Sequence, residues 1–475
     1  MSSVTTAEVE TVAKRQRSTL SLRVAGILGT TVFVSSLSLI VLTAIPYGTS
    51  QPWWIAAFVA IAFTLAILWL VQGSITGSWF ADSWPLVLPL SLLAILSFLQ
   101  TLPVGQQRVD PGVISFAPWN AISADPYQTR FFALLLLAVM LSGVMLARYA
   151  TSEKRMRIVI NLVILVAVAS SIFGILRQTM QHSPGFGLPL LLPDSGYGQF
   201  INRNHFAFLM EMGIGLILGL ILGGGVKREQ SLIYFAALLP IWIGLVLCNS
   251  RGGLIAMLAQ IIIAALLFSA ALRRERQSQV GMVLQFWPVR IVLLLVLVGG
   301  IVFGTVWLGG DRLATRIEDP SAFNAESEAL RQGVSRNEIW KASWKMFVAH
   351  PVLGVGMGGY WAAIPAYHDA SGTMTPQEAH SDYLELLVSG GVVGLALGVW
   401  FAVVVFRRTL ENLAARNRFR RAACLGAAIG IAGVAVHSLA DFGLHTIVNA
   451  LVFTNLVVIA TSKPHWGNEP AKLYD

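Results

Sequence analysis

Apolar runs of about 17–25 residues, the length a helix needs to cross the hydrocarbon core of a bilayer, recur along almost the whole chain. They lie at about 23–45, 53–71, 84–101, 131–147, 158–176, 205–225, 231–249, 252–271, 290–309, 382–406, 422–439 and 446–462. None shows the strict alternation of a membrane-spanning strand. Lipid offers no partners to backbone groups, so each run predicts a helix. The expected fold is all-α: a polytopic integral membrane protein with about 12 transmembrane helices. Polar positions set its divisions: an N-terminal tail over 1–22, helices over 23–309, a large loop over 310–381, helices over 382–462, and a tail over 463–475. The first apolar run is followed by no small-residue cleavage site and reads as a retained helix, not a signal peptide.

Inside the large loop, Ser335 and Glu338 form a capping-box pattern. Trp340, Trp344, Phe347 and Val348 follow at i, i+4, i+7 and i+8, which is one apolar helical face, and Pro351 ends the helix. With Lys341 and Lys345 on it, such a helix suits a membrane surface.

Composition agrees with lipid as the solvent. The 475 residues are 55% hydrophobic and 12% charged, and the mean hydropathy is +0.69. A net charge of +9 raises the question of nucleic acid, but the basic residues form no stripe and fall between the apolar runs. They act as topological signals instead. With the N-terminus in the cytoplasm, about two-thirds of the 33 Lys and Arg lie on the cytoplasmic side, as the positive-inside rule requires. The reverse orientation violates the rule at nearly every loop. Cys248 and Cys424 fall near opposite faces and in no metal-ligand spacing, so neither a disulfide nor a metal is expected from them.

That orientation places seven of the eight histidines, all but His465, on the outer side or at outer helix ends. A few arginines join them. Arg251, in Asn249-Ser250-Arg251-Gly252-Gly253, has two readings: an arginine snorkelling to lipid headgroups, or a fixed cation for an anionic lipid-linked substrate, with two glycines allowing close approach. Arg203, before His205, is either an interfacial cap or an anion ligand at a helix start. Arg336 opens the loop helix, and the glycine run 354–359 beyond it lacks the Lys-Ser/Thr of a nucleotide loop. It reads as a tight turn returning the chain to the bilayer. His380 stands between Glu378 and Asp382 at the outer mouth of the tenth run, and is either a polar anchor or a general base. His437, Asp441 and His445 recur every four residues. That resembles metal-ligand spacing, but the apolar run ends near residue 440, which favours a hydrogen-bond network or acceptor site over a metal.

At these residues the sequence resembles the O-antigen ligase and polymerase superfamily of bacterial envelope enzymes. The stretches that carry the likeness are 202–209, 249–258, 336–361, 379–395 and 437–451, above all His380-Ser381 followed by the pair Gly390-Gly391. The first five helices match only in general character. The resemblance implies a C-type glycosyltransferase-like fold in the bacterial inner (cytoplasmic) membrane, with the long loop and active site facing the periplasm. It implies metal-independent, cofactor-free inverting transfer of a glycan from undecaprenyl diphosphate to a hydroxyl. His380 corresponds to the family's essential histidine and Arg251 to its diphosphate-binding arginine, with Arg203 and Arg336 as further candidates for the diphosphate. Asp382, His205, His437, Asp441 and His445 are supporting or acceptor-side candidates.

Two acceptors follow from the family: another lipid-linked repeat unit, for a polymerase, or lipid A core, for a ligase. The combination of stretches 202–206, 380–387 and 441–451 looks more like the polymerases. The implied partners are the lipid-linked glycan, membrane lipid, and a chain-length regulator or the lipid A core. A transporter of a small anion is the rival from another class, but it should place its ionisable groups near mid-membrane. Here only Glu211, about two turns into the sixth run, is so placed.

Overall fold

A computed structural model describes residues 3–45, 47–77, 83–103, 120–180, 191, 196–274, 336–368 and 376–462. The helices are α1 (Ser3–Thr43), α2 (Pro52–Thr76), α3 (Trp84–Gln100), α4 (Pro126–Tyr149), α5 (Glu153–Met180), α6 (Arg203–Leu222), α7 (Arg228–Leu247), α8 (Arg251–Arg274), α9 (Arg336–Ala349), α10 (Asp382–Leu413), α11 (Arg418–His437) and α12 (Ile447–Thr461). Eight of them are long and apolar enough to cross a membrane, and α3, α8 and α12 are shorter apolar helices. The chain is an all-α, multi-pass membrane protein. Eleven of the apolar runs form helices where the pattern expects them. The run at 290–309, and Ser335 of the capping box, lie outside the described residues.

The centre of the bundle is α6 against α11. Of the apolar windows, 78% of that in α6 and 61% of that in α11 is buried, against 22% in α7. In lipid, helices attract each other mainly by close packing, so small residues mark the contact. Here glycines from both helices meet backbone to backbone. A Cβ on Gly219 would lie 2.0 Å from the Gly426 nitrogen, and one on Gly215 would lie 2.4 Å from the Gly430 nitrogen. This seam sets the separation of the two helices that carry Glu211 and His437.

The loop helix α9 forms as expected, but two of its faces matter. Ile339, Ala342, Ser343 and Met346 are buried. They pack with Val355, Tyr360, Ala363, Ile364, Ala379 and Val388 in a small core of their own. Of the face the pattern picked out, Trp340, Trp344 and Val348 are exposed, while Phe347 packs against that core. Periodicity favoured the larger aromatic residues, whereas the packed face is made of smaller ones that let the helix approach its neighbours.

The glycine run after α9 does more than turn the chain. Helix α10 breaks at Gly391, whose backbone (φ 63°, ψ −164°) is not helical. Such a break strands carbonyls and amides that lipid cannot satisfy. Val355 N and Gly356 N donate to the carbonyls of Val388 and Ser389, at 3.1 and 3.0 Å. Val392 N and Val393 N donate to those of Pro351 and Val352, at 2.9 and 3.3 Å. From α3, the Gln100 amide donates to Leu353 O and Ser389 O, at 2.5 and 2.8 Å, and accepts from Met357 N at 3.0 Å. A Cβ at Gly391 would come within 2.2 Å of Val352 O, so the motif glycine is required by both conformation and contact.

Candidate active site

One end of the bundle gathers the N-termini of α6, α8, α10 and α12, the C-terminus of α11, and the start of α9. All nine side chains singled out from the sequence lie at that end. His380 stands two residues before α10 and has a left-handed backbone, φ 52°, a conformation histidine adopts more readily than bulkier or branched residues. Its neighbours on both sides are tied down. Ala379 N donates to Glu385 Oε2 at 3.0 Å, and Ala379 O accepts from Trp340 Nε1 at 3.0 Å. Ser381 caps α10 by accepting from Leu384 N, and its hydroxyl donates to Ser438 O at 3.3 Å. Asp382 N donates to the carbonyls of Ser438 and Asp441, both at 3.2 Å. The imidazole is thereby placed by the chain, while its shielded Nδ1 has no hydrogen-bond partner among the described residues. Burial lowers the pKa of His380, Asp441 and Glu378 oppose that, and Arg336 adds to it. The outcome is a neutral ring at neutral pH.

Asp441 is the hub beside it. Its Oδ2 accepts from Asn204 Nδ2 at 2.5 Å and from Arg336 Nη2 at 3.4 Å, and its Oδ1 lies 3.8 Å from His205 Nε2. Burial would raise this carboxyl, but His205, His437, Arg336 and the Phe442 amide outweigh it and keep Asp441 ionised. His205 is fixed in turn by Thr446 Oγ1, 2.9 Å from its Nδ1.

His445 occupies the other flank. Its Nδ1 is 3.3 Å from Glu378 Oε2, and its Nε2 is 3.7 Å from Asp382 Oδ1 and 3.8 Å from Glu385 Oε1. Against the cost of desolvation, these carboxyl groups raise His445 well above the ordinary histidine range. The charged ring outweighs the effect of burial on Glu378 and holds its carboxyl low. Asp382 Oδ2 also accepts from Ser438 Oγ at 2.6 Å. Ligand atoms of Glu378, Glu385 and His445 lie within 4.8 Å of one another, a grouping able to take a divalent cation. The same grouping is internally neutralised as an ion-pair cluster.

His437, Asp441 and His445 do not share a helical face. Helix α11 ends at His437, and a 3₁₀ turn at Gly443–His445 follows. His437 points inward, its Nδ1 2.7 Å from Glu211 Oε1 and its ring stacked 4.2 Å from Phe208. Glu211, the one ionisable group the sequence placed deep in a helix, is therefore the partner of a site histidine.

Arg203 and Arg251 open α6 and α8. Asn249, at φ 58°, turns the chain between α7 and α8, and Ser250 Oγ accepts from Gly253 N at 3.1 Å. A Cβ on Gly252 would lie 2.4 Å from His437 Nε2, so the helix start that carries Arg251 rests on His437. The sequence analysis covered Phe442 only as part of the stretch 437–451 and gave it no role. His205, His380 and His445 each meet its ring edge to face, with centroids at 4.9, 5.0 and 5.6 Å.

Residues 235–399 match the protein-family model described as O-Antigen ligase. Over this stretch, about a third of the chain, it is similar to that family, which supports the resemblance to the O-antigen ligase and polymerase superfamily that its motifs carry. The matched stretch holds Arg251, Arg336, His380 and Asp382, whereas Arg203, His205, His437, Asp441 and His445 come from outside it. No curated protein matches the chain.

Proposed function

We propose that the protein is a glycosyltransferase of the bacterial inner membrane that polymerises polysaccharide. It takes glycan from undecaprenyl diphosphate and adds it to a hydroxyl of another lipid-linked repeat unit at a periplasmic site. The observation that carries this reading is His380: a ring favoured in its neutral form, held in place beside Arg336 and Asp441 at the end of the bundle where Arg203 and Arg251 open helices. In the proposed reaction the acceptor oxygen attacks C1 of the donor sugar as His380 removes its proton. The C1–O bond to the diphosphate breaks, with inversion, and the lipid diphosphate leaves with the bonding pair. Arginine suits the charge that grows there because its planar fork bonds phosphate oxygens in pairs. The ion-pair cluster around His445 takes no part as a metal centre.

The description of the matching family favours a second reading, transfer to lipid A core. The two part in one experiment. Protein purified into nanodiscs is given lipid-linked repeat units with and without lipid A core, and with and without EDTA. A ladder of products without core, unaffected by EDTA, is expected. A single core-linked product identifies a ligase instead. Loss of activity that only added divalent metal restores would overturn the metal-free mechanism.

A further inference from the structure

The opposite end of the bundle carries a groove with a basic mouth, far from the histidines. This groove of about 940 Å³ runs between α1, the C-terminal end of α4 and the first turn of α5. Its wall is a broad side of α1, where the exposed Leu22, Ile27 and Val34 are joined by Thr30, Thr31 and Ser35. Its mouth holds three arginines, Arg23, Arg148 and Arg155. Their span suits an amphiphile. From Arg23 to Val34 is about 16 Å along a helix at 1.5 Å per residue, several carbon–carbon bonds of an acyl chain.

The groove is built, not merely left over. Gln72 and Tyr149 form its floor: Tyr149 Oη donates to Gln72 Oε1, and Gln72 Nε2 donates to Ala25 O at 3.0 Å. Gly29 lets that floor approach α1, since a Cβ there would lie 2.6 Å from Gln72 Nε2. Gly26 does the reverse, because a Cβ there would meet nothing within 4 Å, so the glycine widens the groove. Arg155 is positioned in advance, its Nη1 donating to Tyr149 O at 3.1 Å and its guanidinium 5.1 Å from the centre of the Phe33 ring. A mainly apolar trough that ends in three guanidinium groups fits one class of ligand: a phosphate carried on acyl chains.

We infer that this groove binds an anionic glycerophospholipid from the leaflet at the basic end, the phosphate at Arg23, Arg148 and Arg155 and one acyl chain along α1. Basic pockets between transmembrane helices are a recurrent way of holding such headgroups. The site is independent of the transfer reaction proposed above.

Native mass spectrometry of the detergent-purified full chain, titrated with dioleoyl phosphatidylglycerol, dioleoyl phosphatidylcholine or inorganic phosphate, tests this. The expected result is a phosphatidylglycerol adduct at least tenfold tighter than the phosphatidylcholine one, and not displaced by equimolar phosphate. The R23Q/R148Q/R155Q variant should lose that preference. Because removing three charges can disturb insertion, Gly26→Phe supplies a second arm: it keeps every arginine, fills the open space, and should weaken the adduct by at least tenfold. Equal binding of the two lipids would overturn the inference, as would displacement by free phosphate or a full-strength adduct in Gly26→Phe.

Discussion

A histidine with a left-handed backbone, its neighbours on both sides tied down and its ring favoured in the neutral form, is placed to take a proton. Removing a general base costs about 10²–10⁴ in rate. His380→Ala should lower glycan transfer by that factor in a purified assay while thermal stability stays near wild type; an unchanged rate would remove the assignment. The pH dependence has a defined sign. Burial and Arg336 lower the pKa of His380 below the ordinary 6.5, so the base form persists as the pH falls through neutrality, and the acid limb of the rate profile should lie below pH 6.5. A limb centred above 7 would contradict the neutral ring. His380 was legible in the sequence because polar residues flank it in an otherwise apolar chain. Asp441 was visible through the family-like stretch 437–451 and through its spacing from two histidines, a spacing that turned out to belong to a turn. Phe442 lay in that same stretch but drew no role, since one more phenylalanine among 24 suggests no chemistry by itself.

Among the elements, helices were the easiest to read, because twenty apolar residues in lipid have few alternatives. What escaped the pattern was where helices break and where they touch. Gly390-Gly391 stood out as a motif, but only the structure shows that the run at 354–359 supplies hydrogen bonds to the broken ends. The α6–α11 seam was equally hidden, since glycines in an apolar run look like ordinary small residues. It can be tested against an internal control. Alanine is the better helix former by about 1 kcal/mol, so a glycine-to-alanine change should be neutral or stabilising wherever there is room. Gly26→Ala, with open space around it, should therefore leave the melting temperature in detergent unchanged or raised. Gly219→Ala meets the Gly426 backbone and should lose about 1–3 kcal/mol, the usual range for overpacking. Equal melting of the two variants would show that the seam is looser than described.

At the scale of the whole molecule, charge and chemistry separate. Arg23, Arg148, Arg155, Arg157 and Arg420 sit at one end, and the histidine cluster at the other. Sidedness follows and can be measured. In a background free of Cys248 and Cys424, a cysteine replacing the exposed Trp361 should react with an impermeant maleimide added to spheroplasts. One replacing the exposed Lys154 should react only after the membrane is opened. The reverse pattern would invert the topology. The sequence foresaw this polarity from its basic loops, but not that the site would draw on residues from Asn204 to His445, because distances across a bundle are not encoded in any local pattern. That assembly bears on anyone who would recombine relatives of this protein. A chimera exchanged at the borders of the matched stretch would import a foreign His380 and Arg336 while keeping the native Asp441, His445 and Asn204. The stretch most easily recognised by descent is thus not a transplantable unit of activity, and a working hybrid would have to move the flanking helices with it.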